Sequence, residues 1–410
     1  MKVLHITFSD TGGAGAAALR LHKGLLSVGV ASKLLVMEKR TDNEEVYAYP
    51  KKNKYLILFL RVLKKMRLPQ TLEHKNDNLY KGFKGNFEYF SFAKTSFVEL
   101  PTHPLVQQAD VINLHWIPNF VDYTSFFDQV KKPIVWTQHD MNAFQGGFHY
   151  KDDNFRNDHL HQYNNEQYQQ KLLGLSRIKE SQLVVVSPSK WMYNEAKSSE
   201  ILGRFKHVHI PNGLDPQLFY FKDKQTSGPD FRLDGNKIKV LFISETVKSI
   251  RKGFTHILDL LNDAEIAQKC QFIAVGSIKE SDKVKGVKYL GKVNSEAAIS
   301  DIYNMADIYL LPSLEDNFPN VMLESLACGT PVVGFDIGGL KDLITNDVNG
   351  YLSESITVSG LKAALLKCID HIGSFDKKAI ANQIGTRYNT KIQAESYLNI
   401  YKTLNPSTGE

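Results

Sequence analysis

The sequence predicts an α/β protein built from two Rossmann-like domains with parallel sheets, and three observations carry that prediction. Its 410 residues exceed the length at which one hydrophobic core stops growing, about 250–300 residues. Its apolar runs are short and close on polar residues, as buried parallel strands with a site at their C-terminal ends do. The runs also come in two series, one opening at Lys2 and the other at Lys237.

The first series begins with a strand at residues 2–8, a glycine-rich turn from Ser9 to Ala18, a helix through about Val28, and a second strand at 31–37. Such a turn lets phosphates approach the backbone. Gly13, Gly15 and Ala18 also satisfy a dinucleotide-binding pattern, and Glu38 stands where a ribose-binding acid would. An NAD(P)-dependent oxidoreductase is therefore a rival, although the glycines begin several residues after the strand. Residues 40–100 read as an irregular insertion rich in lysine, asparagine and aromatics. Strands return at 109–116, 133–140 and 183–187, and bring His115, His139 and Asp140 to one rim. A lone histidine at a strand end is more often structural, and His115 is read so. The polar stretch 151–170 reads as a mobile loop. Residues 186–191 open a helix, and 208–215, with the turn dipeptide Asn212-Gly213, end the first domain (1–215). Residues 216–236 form the linker.

The second domain (237–390) opens with a strand at 237–244. Arg251, Lys252 and Gly253 then start a helix, so two cations flank a helix N-terminus and can neutralise a leaving diphosphate. Strands follow at 271–275, 287–290, 307–311 and 331–335, and residues 291–293 can present backbone groups to a base. A helix near 392–404 repeats Tyr397, Ile400, Tyr401 and Leu404 at helical spacing, within a C-terminal segment 391–410.

The most informative stretch is 311–335, read as strand, loop, helix, turn and strand. Pro319 suits the first helical turn, and Gly329 and Pro331 stop the helix. Asp316 precedes that helix and Glu324 follows eight residues on. The first-turn N–H groups, those of Asn320 and Val321 among them, offer a phosphate site. A carboxylate on the helix can chelate two vicinal ribose hydroxyls, so the stretch is equipped for a sugar nucleotide.

Composition is ordinary for a globular chain, 42% hydrophobic and 23% charged with net charge +6. Cys270, Cys328 and Cys368 lack pairing or metal-ligand spacing, which predicts a reducing compartment. No apolar run approaches the ~18 residues of a membrane span, and the N-terminal strand lacks a signal peptide's apolar core. The expected location is cytoplasmic. Between 51 and 67 stand Lys51, Lys52, Lys54, Arg61, Lys64, Lys65 and Arg67 without an acid, around an apolar run. That pattern fits either peripheral contact with anionic lipid on the inner membrane face or a packed surface helix. No recognised nucleic-acid-binding module accompanies the charge, so nucleic acid is not expected as a partner.

The 311–335 segment resembles the signature of family 4 retaining glycosyltransferases: an acid, seven residues, Glu, then Thr330-Pro-Val-Val. The resemblance implies the GT-B fold, two domains facing across a cleft with the C-terminal helix crossing back to the first. It implies a hexosyltransferase type of enzyme using a nucleotide-diphosphate sugar. Its donor would be held by Gly12, Gly13, Arg251, Lys252, Val293, Asn317, Phe318, Asn320, Val321 and Glu324. Asp316 would orient the transferred sugar. His139 would lie at the reacting end, since Thr137-x-His139-Asp140 looks like the family's active-site histidine segment. Asp316 stands where Glu is usual and Pro319 where a second glycine is common. The family's arginine before Lys252 is replaced by Thr246 or Val247. Residues 137–150 are similar to a subgroup of capsular, exopolysaccharide and O-antigen transferases, which implies a glycan acceptor, in particular a lipid-linked one. No Asp-x-Asp occurs, so the expectation is catalysis without metal and without a cofactor beyond the donor. A sugar-nucleotide epimerase and a non-catalytic sugar-nucleotide-binding protein are further alternatives.

Overall fold

A computed structural model of the chain describes residues 1–50, 71–222 and 234–405. The basic run 51–67 and residues 223–233 of the expected linker lie outside the described residues. Two compact units emerge: Met1–Pro188 with Met192–Ile210 and Ala394–Glu410, and Ser189–Trp191 with Pro211–Gln393.

In the first unit β1 (Lys2–Ser9), β2 (Ala31–Glu38), β3 (Val46–Ala48), β4 (Val111–Leu114), β5 (Ile134–Thr137), β6 (Leu183–Ser187) and β7 (Lys206–His209) form one sheet. Its order is β3-β2-β1-β4-β5-β6-β7, with every pairing parallel. Each residue of β4, β5 and β6 is buried. This is why they read as unbroken apolar runs rather than alternating ones. The order reverses between β1 and β4, the switch point beside which open α/β sheets bind ligands.

Several expectations are corrected here. The helix Gly12–Ser27 begins at Gly12 behind Thr11, so Gly12 and Gly13 sit in its first turn and not in a long loop. Residues 40–100 are not wholly irregular. They supply β3 at the sheet edge, the helix Leu72–Gly82, and Phe90 and Phe92, which cluster with Phe148 and Leu160. The expected loop 151–170 is helical, as Lys151–Arg156 and His161–Leu175. Polarity disguised it, because the face that His161–Leu175 buries includes Asn164, Gln167 and Lys171. Asn164 accepts the Gly147 N–H at 2.8 Å and Gln167 accepts the Ala93 N–H at 2.9 Å.

The last helix, Thr390–Leu404, belongs to the first unit from Ala394 onward. Its Tyr397 hydroxyl lies 2.9 Å from Thr137 Oγ1, and its Tyr401 hydroxyl accepts a 2.7 Å bond from Asn113. Both rings are fully buried.

The second unit holds β8 (Ile238–Thr246), β9 (Cys270–Ser277), β10 (Val287–Gly291), β11 (Ile308–Leu311), β12 (Val332–Phe335) and β13 (Gly350–Ser353). They are ordered β10-β9-β8-β11-β12-β13, again all parallel. The switch point here lies between β8 and β11. β13 was not predicted from its four residues. Residues 211–222, read as domain end and linker, pack on this unit. Leu214 exchanges backbone bonds with Tyr388 and Thr390, and Phe219 is buried in the core, worth about 1.5–3 kcal/mol for a side chain of that size. All three cysteines are buried thiols. Among the described residues no helix is long and apolar enough to cross a membrane.

Candidate functional site

The polar residues at the second unit's switch point are placed by backbone pressed against backbone. After β8 the chain turns through Gly253, whose φ is 71°. A Cβ there would stand 1.8 Å from the Pro312 carbonyl oxygen, so only glycine lets this turn rest on the end of β11. Leu314 N–H then donates to the Arg251 carbonyl at 2.8 Å, and Arg251 Nη1 donates to the Glu315 carbonyl at 3.0 Å. From the other side Gly338, with φ 51°, lies against the Asp316 carbonyl, which a Cβ would approach to 1.7 Å. These contacts deliver Lys252 Nζ to 2.5 Å and Arg251 Nη1 to 3.6 Å from Asp316 Oδ2. Ser313 Oγ donates to the same oxygen at 3.3 Å. Burial pushes the Asp316 carboxyl up, but Lys252 and then Arg251 outweigh it and hold it below its ordinary value. Asp316 is thus an ionised, acceptor-only group.

The helix after this loop is Asn320–Ala327, with Pro319 as its extended N-cap (φ −64°, ψ 125°). Pro319 therefore precedes the first turn, one residue away from its expected place, and Asn320 and Val321 occupy the turn itself. Glu324 on this helix is buried and accepts a 3.1 Å bond from the Tyr303 hydroxyl. Burial, then the Glu324 charge, lifts that phenol well above its ordinary value, so it stays a donor. Tyr303 was not anticipated; it comes from the preceding helix Glu296–Met305, and no local pattern marks it.

The remaining expected donor residues divide. Asn317 Oδ1 accepts from Ser189 Oγ at 2.6 Å. Asn212 Nδ2 donates to the Phe318 carbonyl at 3.4 Å and to Asn320 Oδ1 at 3.0 Å. Asn317, Phe318 and Asn320 therefore form one strap, braced by residues of the same unit that the sequence had assigned to other roles. Val321 is half-buried and packs on the core. Val293 follows the edge strand β10, with β9 and β8 between it and β11, and packs on the core.

At the first unit's switch point three imidazoles come from adjacent strands. His139, half-buried after β5, has Nε2 3.0 Å from His115 Nδ1. His115 Nε2 lies 2.8 Å from Nδ1 of His5 on β1. His115 therefore stands between His5 and His139 rather than alone. Burial pulls His139 down to about 4 in spite of the Asp140 charge. Burial, reinforced by the neighbouring imidazoles, holds His115 and His5 well below the ordinary histidine value. All three are neutral at neutral pH.

Asp140 accepts from Trp116 Nε1 at 2.6 Å and lies 2.7 Å from His149 Nδ1, whose Nε2 is 2.7 Å from Ser91 Oγ. The order Ser-His-Asp matches a nucleophilic triad, but Ser91 is only 2% exposed. The N–H groups of Ser91, Phe92 and Ala93 are engaged by Gly147, Asn119 and Gln167, leaving none of them for an oxyanion. The set is a strut joining segment 89–93 to 140–149. Nearby, the buried amine of Lys171 donates to the carbonyls of Asn142 and Gly146 and to Asn142 Oδ1.

In the first turn of Gly12–Ser27 a Cβ on Gly13 would meet open space, so the turn is accessible as expected. Glu38, the acid of the oxidoreductase reading, is paired with Arg40 at 2.6 Å.

Residues 237–371 match the family model described as glycosyl transferases group 1. An uncharacterized glycosyltransferase of Methanocaldococcus jannaschii is 26% identical over 60% of this chain and 62% of its own length. The N,N'-diacetylbacillosaminyl-diphospho-undecaprenol alpha-1,3-N-acetylgalactosaminyltransferase of Campylobacter jejuni is 29% identical over 33% of this chain and 38% of its own. The chain thus spans about half the length of these curated relatives. Among solved structures, sucrose-phosphate synthase from Thermosynechococcus elongatus superposes with a TM-score of 0.69. That match covers 99% of this chain and 100% of the other at 15% identity, which shows a shared fold.

Proposed function

We propose that the protein, whose residues 237–371 match the family model described as glycosyl transferases group 1, is a glycosyltransferase moving a sugar, of the hexosyl type, from a nucleotide-diphosphate sugar to a glycan in polysaccharide assembly. The observation that carries this is the placement of Arg251, Lys252 and Asp316 at the β8/β11 switch point, next to a helix bearing buried Glu324. Glu324 takes the ribose hydroxyls, with its carboxylate held in place by Tyr303. Lys252, Arg251 and the first-turn amides of Asn320–Ala327 take the diphosphate, the cations exchanging Asp316 for phosphate oxygens. Asp316, released toward the sugar, accepts from its hydroxyls.

Negative charge on the departing diphosphate then falls on cations and helix dipole, so transfer needs neither metal nor further cofactor. We extend the proposal to retention of anomeric configuration, to a lipid-linked acceptor at the cytoplasmic membrane face, and to anionic membrane contact through the run 51–67. The resemblance of residues 137–150 supports the acceptor class, as does the Campylobacter relative, whose name carries a diphospho-undecaprenol-linked sugar.

The test is a thermal-shift screen with UDP-, GDP-, ADP- and TDP-sugars, with NAD and NADP alongside. A ligand of the native state raises the midpoint by mass action, about 2.7 kcal/mol at a hundred times its Kd. One nucleotide sugar and its free diphosphate should shift the midpoint, and NAD(P) should not. A shift by NAD(P) alone would replace the transferase by the oxidoreductase.

A further inference from the structure

We infer that His5 and His115 act as positioning residues that fix which nitrogen of His139 carries the proton, placing it on Nδ1. The catalytic consequence rests on the proposed function, whereas the tautomer itself does not. His5 lies on β1, His115 follows β4 and His139 follows β5, strands adjacent in the sheet. The row runs from the interior, where His5 is 0% and His115 3% exposed, to the half-buried rim. Its two links, His5 Nδ1 to His115 Nε2 at 2.8 Å and His115 Nδ1 to His139 Nε2 at 3.0 Å, use one nitrogen of each end ring and both of the middle one.

A neutral imidazole has one donor and one acceptor nitrogen, so the first choice in the row dictates the others. If His5 donates from Nδ1, then His115 accepts on Nε2, donates from Nδ1, and His139 accepts on Nε2. His139 must then hold its own proton on Nδ1. In the reverse order every proton shifts, and His5 is left with an N–H on Nε2. That nitrogen is buried and has no hydrogen-bond partner among the described residues. Orphaned buried N–H groups are rarer in folded proteins than under-satisfied acceptors, so the first order is selected. The interior end of the row thereby controls the rim.

Burial keeps the three rings uncharged, as the depressed values of His5, His115 and His139 require. A neutral His139 with its proton on Nδ1 is a donor at that nitrogen and an acceptor at Nε2. It does not serve as a base at Nδ1.

The experiment is a long-range 1H–15N correlation spectrum of the full chain labelled with 15N-histidine, with the His139 signals identified by their loss in His139→Gln. The wild type should show a protonated Nδ1 and an unprotonated Nε2. His115→Leu removes the relay, and His139 should become a mixture of tautomers. His115→Gln should restore the single tautomer, because an amide can accept from His5 through oxygen and donate to His139 through nitrogen. Transfer assays should follow the spectra, with kcat about tenfold lower in His115→Leu, donor KM unchanged, and recovery in His115→Gln. Protonation of His139 on Nε2 in the wild type would overturn the inference, and so would a single unchanged tautomer in His115→Leu. If His115→Leu fails to fold, the wild-type and His115→Gln spectra decide the matter alone. The spectra need no substrate, so a chain that transfers no sugar would defeat the proposed function and leave this test standing.

Discussion

The two switch points carry polar groups of opposite kinds. In the second unit, Arg251, Lys252 and Asp316 are charged and paired, with Lys252 and Asp316 drawn from positions 64 apart in the chain by two glycine-dependent backbone contacts. In the first unit, His5, His115 and His139 are neutral and linked in a row by 2.8 and 3.0 Å contacts. The same doubly wound topology thus presents a charged cluster in one sheet and an uncharged relay in the other. Both sets are desolvated, and the difference is set by the charges beside them. Histidine surrenders its charge when desolvated, whereas a carboxylate with two cations beside it keeps its own.

The comparison can be broken most severely at Gly253. Gly253→Val puts a β-branched residue at φ 71° with its Cβ 1.8 Å from the Pro312 oxygen. It should destabilise the protein by at least about 3 kcal/mol in urea unfolding. It should also abolish nucleotide binding. Wild-type stability would show that the turn does not lean on β11 and that the charged cluster forms by other means.

Next in size is Lys252→Ala. Losing one electrostatic contact to the transition state should lower kcat/KM by roughly a hundredfold, while EDTA leaves wild-type turnover unchanged. Activity removed by chelator and restored by magnesium would assign the charge to a metal instead.

A smaller effect sharpens the role of Tyr303. Tyr303→Phe removes one hydrogen bond to Glu324, and a net 0.5–1.5 kcal/mol, the usual range for such a bond, predicts about two- to tenfold weaker donor binding by calorimetry. Tight binding retained in full would make Tyr303 a packing residue only.

A further test concerns burial in the first unit, through Lys171. Burial pulls its amine from 10.5 down to about 7, against the opposing Asp140 charge. The unfolded chain therefore binds more protons than the folded one between pH 7 and 10.5, and stability rises with pH across that window. The cost of burying the charged amine is fully present below pH 7. Wild type should gain stability relative to Lys171→Met as pH is raised from 7 to 10 in denaturant titrations. A difference that stays flat or shrinks would mean the amine is charged throughout.

Legibility in the sequence followed the range of the contacts. β1, β2, β4–β6 and β8–β12 were readable because buried parallel strands are apolar runs, and 311–335 was readable because its acids, helix and stops are contiguous. β3 and β13 were not, since three or four edge residues carry little pattern. The helix His161–Leu175 was missed because what it buries includes asparagine, glutamine and lysine, satisfied by distant backbone. His139 was legible and its relay was not: His5 and His115 are 110 positions apart, and nothing local marks them as neighbours. Tyr303 escaped for the same reason, 21 positions from Glu324.

The central claim, that the second unit holds the ribose of a nucleotide sugar through Glu324, is met most directly by calorimetric titration of Glu324→Gln beside wild type. The ligand is the nucleoside diphosphate selected by the thermal-shift screen. A charge-assisted bond contributes roughly 1.5–3 kcal/mol, so the variant should bind at least about tenfold more weakly, with its melting temperature near that of wild type. Equal affinity in the two proteins would contradict the account.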